Sequence, residues 1–311
     1  MSGRPEMFEG VEEIWLDGEF VDFEDAQIHV LTHALHYGTG VFEGGRVYEH
    51  PKGAAMFRMR DHVRRLTESS KMMRMEIPFS ADELYEAIRE TIKVNDLKSC
   101  YVRPVVYRGV GPAGVNPLGN PVNVFIAVWP WGAYLGEEAL NEGVDVCTSS
   151  FRRMAPDTHL PMGKVAGNYV NSQYAKMEAV LGGFAEAIML DTAGNLAEGS
   201  GENLFVIRDE RIYTPQFGNT VLGGITRNCA MVLAKEMGYE VVEQSIPREF
   251  LYVADEAFFT GTAAEVTPIR SVDRLPVGKG SRGPITEKIQ SAFFDIIEGR
   301  AEDRYEWLEF V

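Results

Sequence analysis

Helix and strand signals are mixed along this chain without a regular strand–helix–strand rhythm and without an internal repeat. That irregularity favours an α+β architecture over a doubly wound parallel sheet. Residues 12–21 read as a hairpin, because apolar residues flank Asp17-Gly18, a pair suited to the positive dihedrals of a type I′ turn. A helix is expected from about Asp61, with Val63, Leu66 and Met73 on one face. A second follows a capping box of Ser80 and Glu83, with Leu84, Ile88 and Ile92 at helical spacing. Strand-like runs at 100–107 and 122–131 enclose a Gly/Pro-rich loop at 109–121. Residues 1–130 thus read as a small α+β domain, 131–138 as an interdomain loop and 139–311 as a larger domain. The larger part opens with a strand at 144–149 and a helix at 169–181 stopped by Gly182-Gly183. Further β segments are expected at 187–191 and 203–213, then a helix capped by Thr226 and running to Gly238. A strand ends at Thr260-Gly261, and a last helix covers 286–297.

The chain has 311 residues, of which 45% are hydrophobic and 24% charged, a composition that supports a sizeable core. No apolar run approaches the roughly 18–20 residues of a membrane-spanning helix. The first nine residues are polar and acidic, unlike a secretory signal. A cytoplasmic protein is expected. The net charge of −16 repels phosphate backbones and anionic membranes, so neither nucleic acid nor membrane is an expected partner. Cys100, Cys147 and Cys229 are odd in number and far apart, which speaks against disulfides and structural zinc and for three small core residues.

Several segments could carry chemistry. Gly109-Val-Gly111-Pro-Ala-Gly114 matches the spacing of a dinucleotide-binding loop, but prolines interrupt it and a strand follows where a helix should open. His29, His33 and His36 cluster, yet no ligand-rich segment accompanies them, so no metal is expected. Leu222-Gly-Gly224-Ile225-Thr226 leads into a helix whose first amides would lack internal partners and could cradle an anion. Thr260-Gly-Thr262-Ala263-Ala264 is a second candidate; ordinary turns are the alternative for both. Lys164 sits among small and apolar residues, a setting that disfavours an ammonium and leaves a nucleophilic amine. Glu198 lies amid glycines and a hydroxyl, suited to a close approach by a cationic ring, although such a glutamate is ordinarily a solvated loop residue.

Taken in order, longer motifs carry a resemblance. They are His33-Ala-Leu-His-Tyr-Gly-Thr39, Val41-Phe-Glu-Gly44, Tyr101-Val-Arg-Pro104, Gly114-Val-Asn-Pro117 and Pro130-Trp-Gly-Ala-Tyr-Leu-Gly136. Later come Gly167-Asn-Tyr169, the stretch 198–205, Gly224-Ile-Thr-Arg227 and Gly261-Thr-Ala-Ala-Glu265. Over roughly residues 12–308 the sequence resembles bacterial branched-chain aminotransferases, which are fold-type IV pyridoxal-phosphate enzymes. The resemblance implies a two-domain, D-amino-acid-aminotransferase-like α+β fold with the cofactor held by the larger domain.

It also implies roles. Lys164 matches the Schiff-base lysine and proton shuttle, Glu198 the carboxylate facing the pyridine nitrogen, and Tyr169 the residue that bonds the phenolic oxygen. Arg65, the amides of Ile225 and Thr226 after Gly224, and Thr262 match the phosphate site, with Leu222 against the ring. Bottom-up, a helix carrying Arg64 and Arg65 would ordinarily face water. Tyr37, Phe42, Trp131 and Tyr134 match the apolar substrate walls. Tyr101 and the amides of Thr262 and Ala263 would hold the α-carboxylate, and Arg103 the side-chain carboxylate of glutamate. The implied reaction is ping-pong amino transfer between L-leucine, L-isoleucine or L-valine and 2-oxoglutarate, by a homo-oligomer that is at least a dimer. Tyr101-x-Arg103 resembles the branched-chain pattern more than that of D-amino-acid or R-amine transaminases. Those activities, an aminodeoxychorismate lyase, or an inactive binding protein on the same scaffold stand as alternatives. The loop 108–114 departs somewhat from the pattern of bacterial members, which bears on side-chain preference.

Overall fold

The computed structural model describes residues 4–132, 135–217 and 220–311. They form two compact units. Of the described residues, the first comprises 4–132, 163–167 and 297–311; the second comprises 135–162, 168–217 and 220–296. This differs from the linear division read from the sequence, in which everything after 138 was assigned to one domain. The reasons are local. Val165 bridges Val41, and the terminal strand Leu308–Phe310 pairs antiparallel with Gly53–Phe57.

In the first unit the strands run across one sheet in the order Leu308–Phe310, Gly53–Phe57, Gly45–His50, Cys100–Arg108, Val122–Trp129, Glu13–Leu16 and Glu19–Asp22. Gly40–Phe42 also pairs with Cys100–Arg108. The first hairpin turns at Asp17 and Gly18, both with positive φ, as that pair of residues allows. Helix Met59–Met72 buries Met59, His62, Val63, Leu66, Ser69 and Ser70, a stripe at three- and four-residue spacing. Helix Ala81–Val94 starts at the Ser80–Glu83 capping box, with both reciprocal hydrogen bonds formed. Both helices contribute to the core of this sheet, where Leu66, Leu84 and Ile88 meet Val102, Val106 and Ile126. Each such fully buried side chain contributes roughly 1.5–3 kcal/mol.

The second unit is built on a mixed sheet, in the order Leu196–Gly199, Glu186–Leu190, Val144–Arg152, Glu265–Val272, Glu256–Gly261, Asn203–Arg208, Arg211–Thr214 and Val241–Glu243. Val144–Arg152 runs parallel to both its neighbours. Helix Tyr169–Leu181 packs on Val144–Arg152 and Glu186–Leu190, and ends at Gly182. Three expectations change. The β segment at 203–213 is two strands, because Asp209 and Glu210, with φ of 50° and 60°, turn the chain. Helix Ile225–Glu236 is preceded by Gly224 at its N-cap, and Thr226 lies inside the first turn without capping it. Glu198 is not in a water-exposed loop but in the buried strand Leu196–Gly199. The Gly109–Gly114 segment joins two antiparallel strands and opens no helix. All three cysteines are buried, and none forms a disulfide among the described residues. No helix among the described residues is long and apolar enough to cross a membrane.

Candidate active site

In the first unit the site is organised by three consecutive residues between the strands Gly40–Phe42 and Gly45–His50. The Phe42 ring is half-buried, with Lys164 Nζ and the Arg103 guanidinium each 4.9 Å from its centroid. The Phe42 amide donates to the Lys164 carbonyl at 3.1 Å. The Lys164 amide in turn donates to Ser69 Oγ at 3.0 Å. Backbone bonds on both sides therefore fix where the lysine starts.

Glu43 is fully buried. It accepts Arg65 Nε at 2.6 Å and Nη2 at 2.9 Å, and its Oε2 lies 2.7 Å from His62 Nδ1. Burial pushes the Glu43 carboxyl up, but the Arg65 charge and hydrogen bond, with His62, reverse this and hold it well below the usual carboxylate range. Burial pushes the His62 imidazole down, against the opposing pull of Glu43. Arg65 is thus turned inward with a fixed guanidinium plane, whereas Arg64 beside it is 69% exposed and pairs with Asp61. The water-facing expectation for this pair holds only for Arg64.

Gly44 must be glycine. A Cβ there would stand 1.7 Å from the Tyr101 hydroxyl. Tyr101 is buried and packs edge-on against Trp131 at 4.5 Å. Arg103 lies among the rings of Phe42, Tyr101 and Trp129, at 4.9, 5.2 and 5.5 Å. Its Nη2 is 3.5 Å from the Tyr101 hydroxyl, and it has no carboxylate partner among the described residues. Trp131 is held by its carbonyl, which accepts Arg46 Nη2 at 2.9 Å. Phe42, Tyr101, Arg103 and Trp131 are therefore brought together. Tyr37 is not: it ends the short helix His33–Tyr37, is 46% exposed and donates to the Ala113 carbonyl. Tyr134 lies outside the described residues. The three clustered histidines bond within the chain. His33 meets Thr39 and the Gly114 carbonyl, His36 the Val30 carbonyl, and His29 the Leu31 amide.

In the second unit Glu198 is 5% exposed. Its Oε1 is 2.6 Å from Arg153 Nη2, and its Oε2 accepts the Leu222 amide at 3.1 Å and Asn203 Nδ2 at 3.2 Å. Asn203 also donates to the Leu222 carbonyl at 2.9 Å, which ties the glycine-rich segment to the Glu198 strand. Gly224 allows this, since a Cβ there would meet Asn203 Oδ1 at 1.9 Å. The 12-residue helix that follows has no side-chain cap, and Ile225 and Thr226 in its first turn are buried. Their amides precede the first internal helix acceptors and are open to an anion. Thr262 and Ala263 lie half-buried in the turn between Glu256–Gly261 and Glu265–Val272, and Thr260 Oγ1 is buried with no hydrogen-bond partner among the described residues. Tyr169 opens its helix half-buried.

In the second unit, an uncapped helix start tied to a fixed buried carboxylate fits a phosphorylated cofactor with a cationic ring. Sequence reasoning missed Glu43, His62, Arg153 and Asn203. Glu43 and Asn203 fall inside motifs it singled out, but nothing in the one-dimensional pattern marks a charge as buried.

The amino-transferase class IV family model matches residues 40–272. The chain is 52% identical over 298 residues to the branched-chain-amino-acid aminotransferase of Pseudomonas aeruginosa, covering 96% of this chain and 97% of that one. Among solved structures, the branched-chain amino acid aminotransferase of Escherichia coli matches with a TM-score of 0.94 at 49% identity, covering 96% and 99% of the two chains. The T.th. enzyme with pyridoxamine 5′-phosphate matches with a TM-score of 0.93 at 49% identity, covering 96% and 98%. The two sheets, the cradle at Gly224 and these likenesses lead to one assignment: the chain belongs to the class IV aminotransferases and, within them, to the branched-chain-amino-acid aminotransferases, enzymes that use pyridoxal 5′-phosphate.

Proposed function

We propose that the protein moves the amino group between L-leucine, L-isoleucine or L-valine and 2-oxoglutarate, in two half-reactions that share one site. The surroundings of Arg103 support this most. A cation without a carboxylate partner, boxed by Phe42, Tyr101 and Trp129, offers apolar contact to an aliphatic side chain and a guanidinium to a dicarboxylate. Pyridoxal 5′-phosphate, when bound, supplies an electron-accepting ring and stores the amino group between the half-reactions. Lys164 Nζ would hold the cofactor and, once the substrate amine has displaced it, would as a free amine take the proton from the substrate Cα. Glu198 presents its carboxylate to the ring nitrogen, Tyr169 its hydroxyl to the phenolic oxygen, and Leu222 its side chain to the ring. Arg65, the Ile225 and Thr226 amides after Gly224, and Thr262 hold the phosphate. Tyr101 and the Thr262 and Ala263 amides orient the α-carboxylate, with Trp131, Tyr134 and Tyr37 as further walls.

The test is spectroscopic. L-leucine added without acceptor should abolish the visible cofactor band, and 2-oxoglutarate should restore it. A band indifferent to L-leucine would sink the substrate assignment, and full multiple-turnover activity in Lys164→Ala would sink the role of the lysine.

We further propose a homo-oligomer, at least a dimer, in the cytoplasm. Val30, Leu31, Leu35, Val115 and Leu118 are 58–81% exposed, in the 28–37 and 110–118 segments, which hydrogen bonds from His33 and Tyr37 join. Such apolar surface favours burial against a second copy. Light scattering after size exclusion should give at least twice 34.7 kDa; a monomer at micromolar concentration would contradict this. Three cysteines without a disulfide among the described residues agree with a reducing compartment, which cell fractionation tests.

A further inference from the structure

Three buried carboxylates and two buried or half-buried cations lie together in the second unit. Lys176 Nζ pairs with Glu186 at 2.8 Å, and Arg153 Nη2 with Glu198 at 2.6 Å. Glu202 receives the Gly201 amide at 3.0 Å and no cation among the described residues. Burial, then the charge of Glu186, pushes the Glu202 carboxyl up to about 8; Glu198 adds to this and Lys176 opposes it. Two of the three carboxylates face a cation and the third does not.

Arg153 is well placed to fix the Glu198 carboxylate. Its amide donates to the Leu190 carbonyl at 2.8 Å, fixing the backbone beyond the strand Val144–Arg152. Nη1 donates to Ser172 Oγ at 3.3 Å and Nε to the Thr220 carbonyl at 3.4 Å. The guanidinium is thus held from several sides and is 6% exposed. It engages Oε1 of Glu198, while Oε2 takes the Asn203 and Leu222 donors.

We propose that Arg153 is a positioning residue for amino transfer: it keeps the Glu198 carboxylate charged and aimed, and thereby sets how firmly the cofactor ring nitrogen holds its proton. This rests on the cofactor reading above. Arg153 acts through Glu198, which its Nη2 engages at 2.6 Å.

The experiment compares wild type, Arg153→Lys, Arg153→Met and Arg153→Met/Glu198→Gln. The pH midpoint of the visible cofactor band is read without substrate, and thermal unfolding is read on the cofactor-free proteins. With Glu198 no longer held charged, the ring nitrogen keeps its proton less firmly and the conjugated nitrogen that sets the band becomes more basic, so the band midpoint of Arg153→Met should rise by about one unit. Arg153→Lys, which keeps the charge, should stay near wild type. In the cofactor-free proteins Glu198→Gln should restore most of the thermal stability that Arg153→Met loses, because the double variant no longer buries a carboxylate that has lost the Arg153 cation. That comparison also decides the matter if the single variant takes up no cofactor. An unshifted midpoint with equal loss of stability, or no rescue by Glu198→Gln, overturns the proposal. Wild type that never acquires a cofactor band overturns both this and the functional reading; a normal wild-type band with an unshifted Arg153→Met overturns this one alone.

Discussion

Glu43 joins a buried anion to Arg65 and His62, and the cost of losing it follows from that burial. Glu43→Gln leaves the Arg65 guanidinium facing a neutral amide inside the protein. Breaking one side of such a pair costs about 3–5 kcal/mol, to be read from urea unfolding at neutral pH. Its carboxyl is held below the unfolded value of 4.5, so the folded state binds the proton more weakly. The stabilisation is therefore complete above the ordinary carboxylate range and disappears only as pH falls through the depressed folded value. Wild type and Glu43→Gln should differ at pH 7 and converge only in strong acid; a constant difference down to that limit would mean that the charge is not what stabilises. Gly44→Ala tests the next residue. A Cβ 1.7 Å from the Tyr101 hydroxyl must displace that ring, at about 1–3 kcal/mol of stability and with slower turnover of L-leucine. Adding Tyr101→Phe should recover part of the stability, since the nearest clashing atom is gone. At this scale the sequence singled out Lys164, Glu198 and Arg103 as candidates through their motifs. It was silent on Glu43, His62 and Arg153, whose roles arise from charges buried against one another across long separations in the chain.

Elements with a local signature were legible, and those defined by tertiary pairing were not. The Ser80–Glu83 box, the helix Tyr169–Leu181 ended by Gly182, and the hairpin at Asp17-Gly18 carry their signals in adjacent residues. The strands Gly45–His50, Gly53–Phe57 and Leu308–Phe310 do not, because their identity depends on partners elsewhere in the sheet. Leu196–Gly199 is the telling case. Four residues containing a glutamate and a glycine read as a loop, yet pairing with Glu186–Leu190 and Asn203–Arg208 makes them a buried strand. That burial has a measurable consequence at Glu202, beside this strand. Its carboxyl is raised from 4.5 to about 8, chiefly by burial and then by Glu186. Between those pH values the folded protein holds a proton that the unfolded chain releases, so this residue lowers stability as pH rises through the window. Glu202→Gln should remove that contribution. The urea midpoint of wild type should fall more between pH 5 and pH 8 than that of Glu202→Gln, and identical profiles would show that Glu202 is ionised in the folded state throughout.

At the scale of the whole molecule, the chain order and the spatial units disagree at two places, the lysine segment 163–167 and the tail 297–311. The sequence offers no sign of either, since both return to a unit whose other residues end at 132. The tail is no loose appendage. Leu308–Phe310 pairs with Gly53–Phe57, the Val311 amide donates to the Ala54 carbonyl at 3.1 Å, and Val311 packs against the first core. The Trp307 carbonyl accepts the amide of Arg58, the residue that starts helix Met59–Met72, which carries Arg65. Deleting residues 308–311 would therefore strip the edge of the sheet while leaving the Trp307 contact in place. Unpaired strand edges join edge to edge, so the shortened protein should gain a concentration-dependent scattering signal on warming that wild type lacks. Its thermal midpoint should fall by several degrees, the shift expected for one or two kcal/mol in a protein of this size. The Glu43–Arg65 clamp has its own bonds, so near the growth temperature of the expression host the truncated protein should retain pyridoxal 5′-phosphate at saturating cofactor and lose it only as the first unit melts. Simultaneous loss of cofactor and of secondary structure on heating fits that order of events. Cofactor loss well before any unfolding would instead show that the tail reaches the phosphate site directly, through the placement of Met59–Met72.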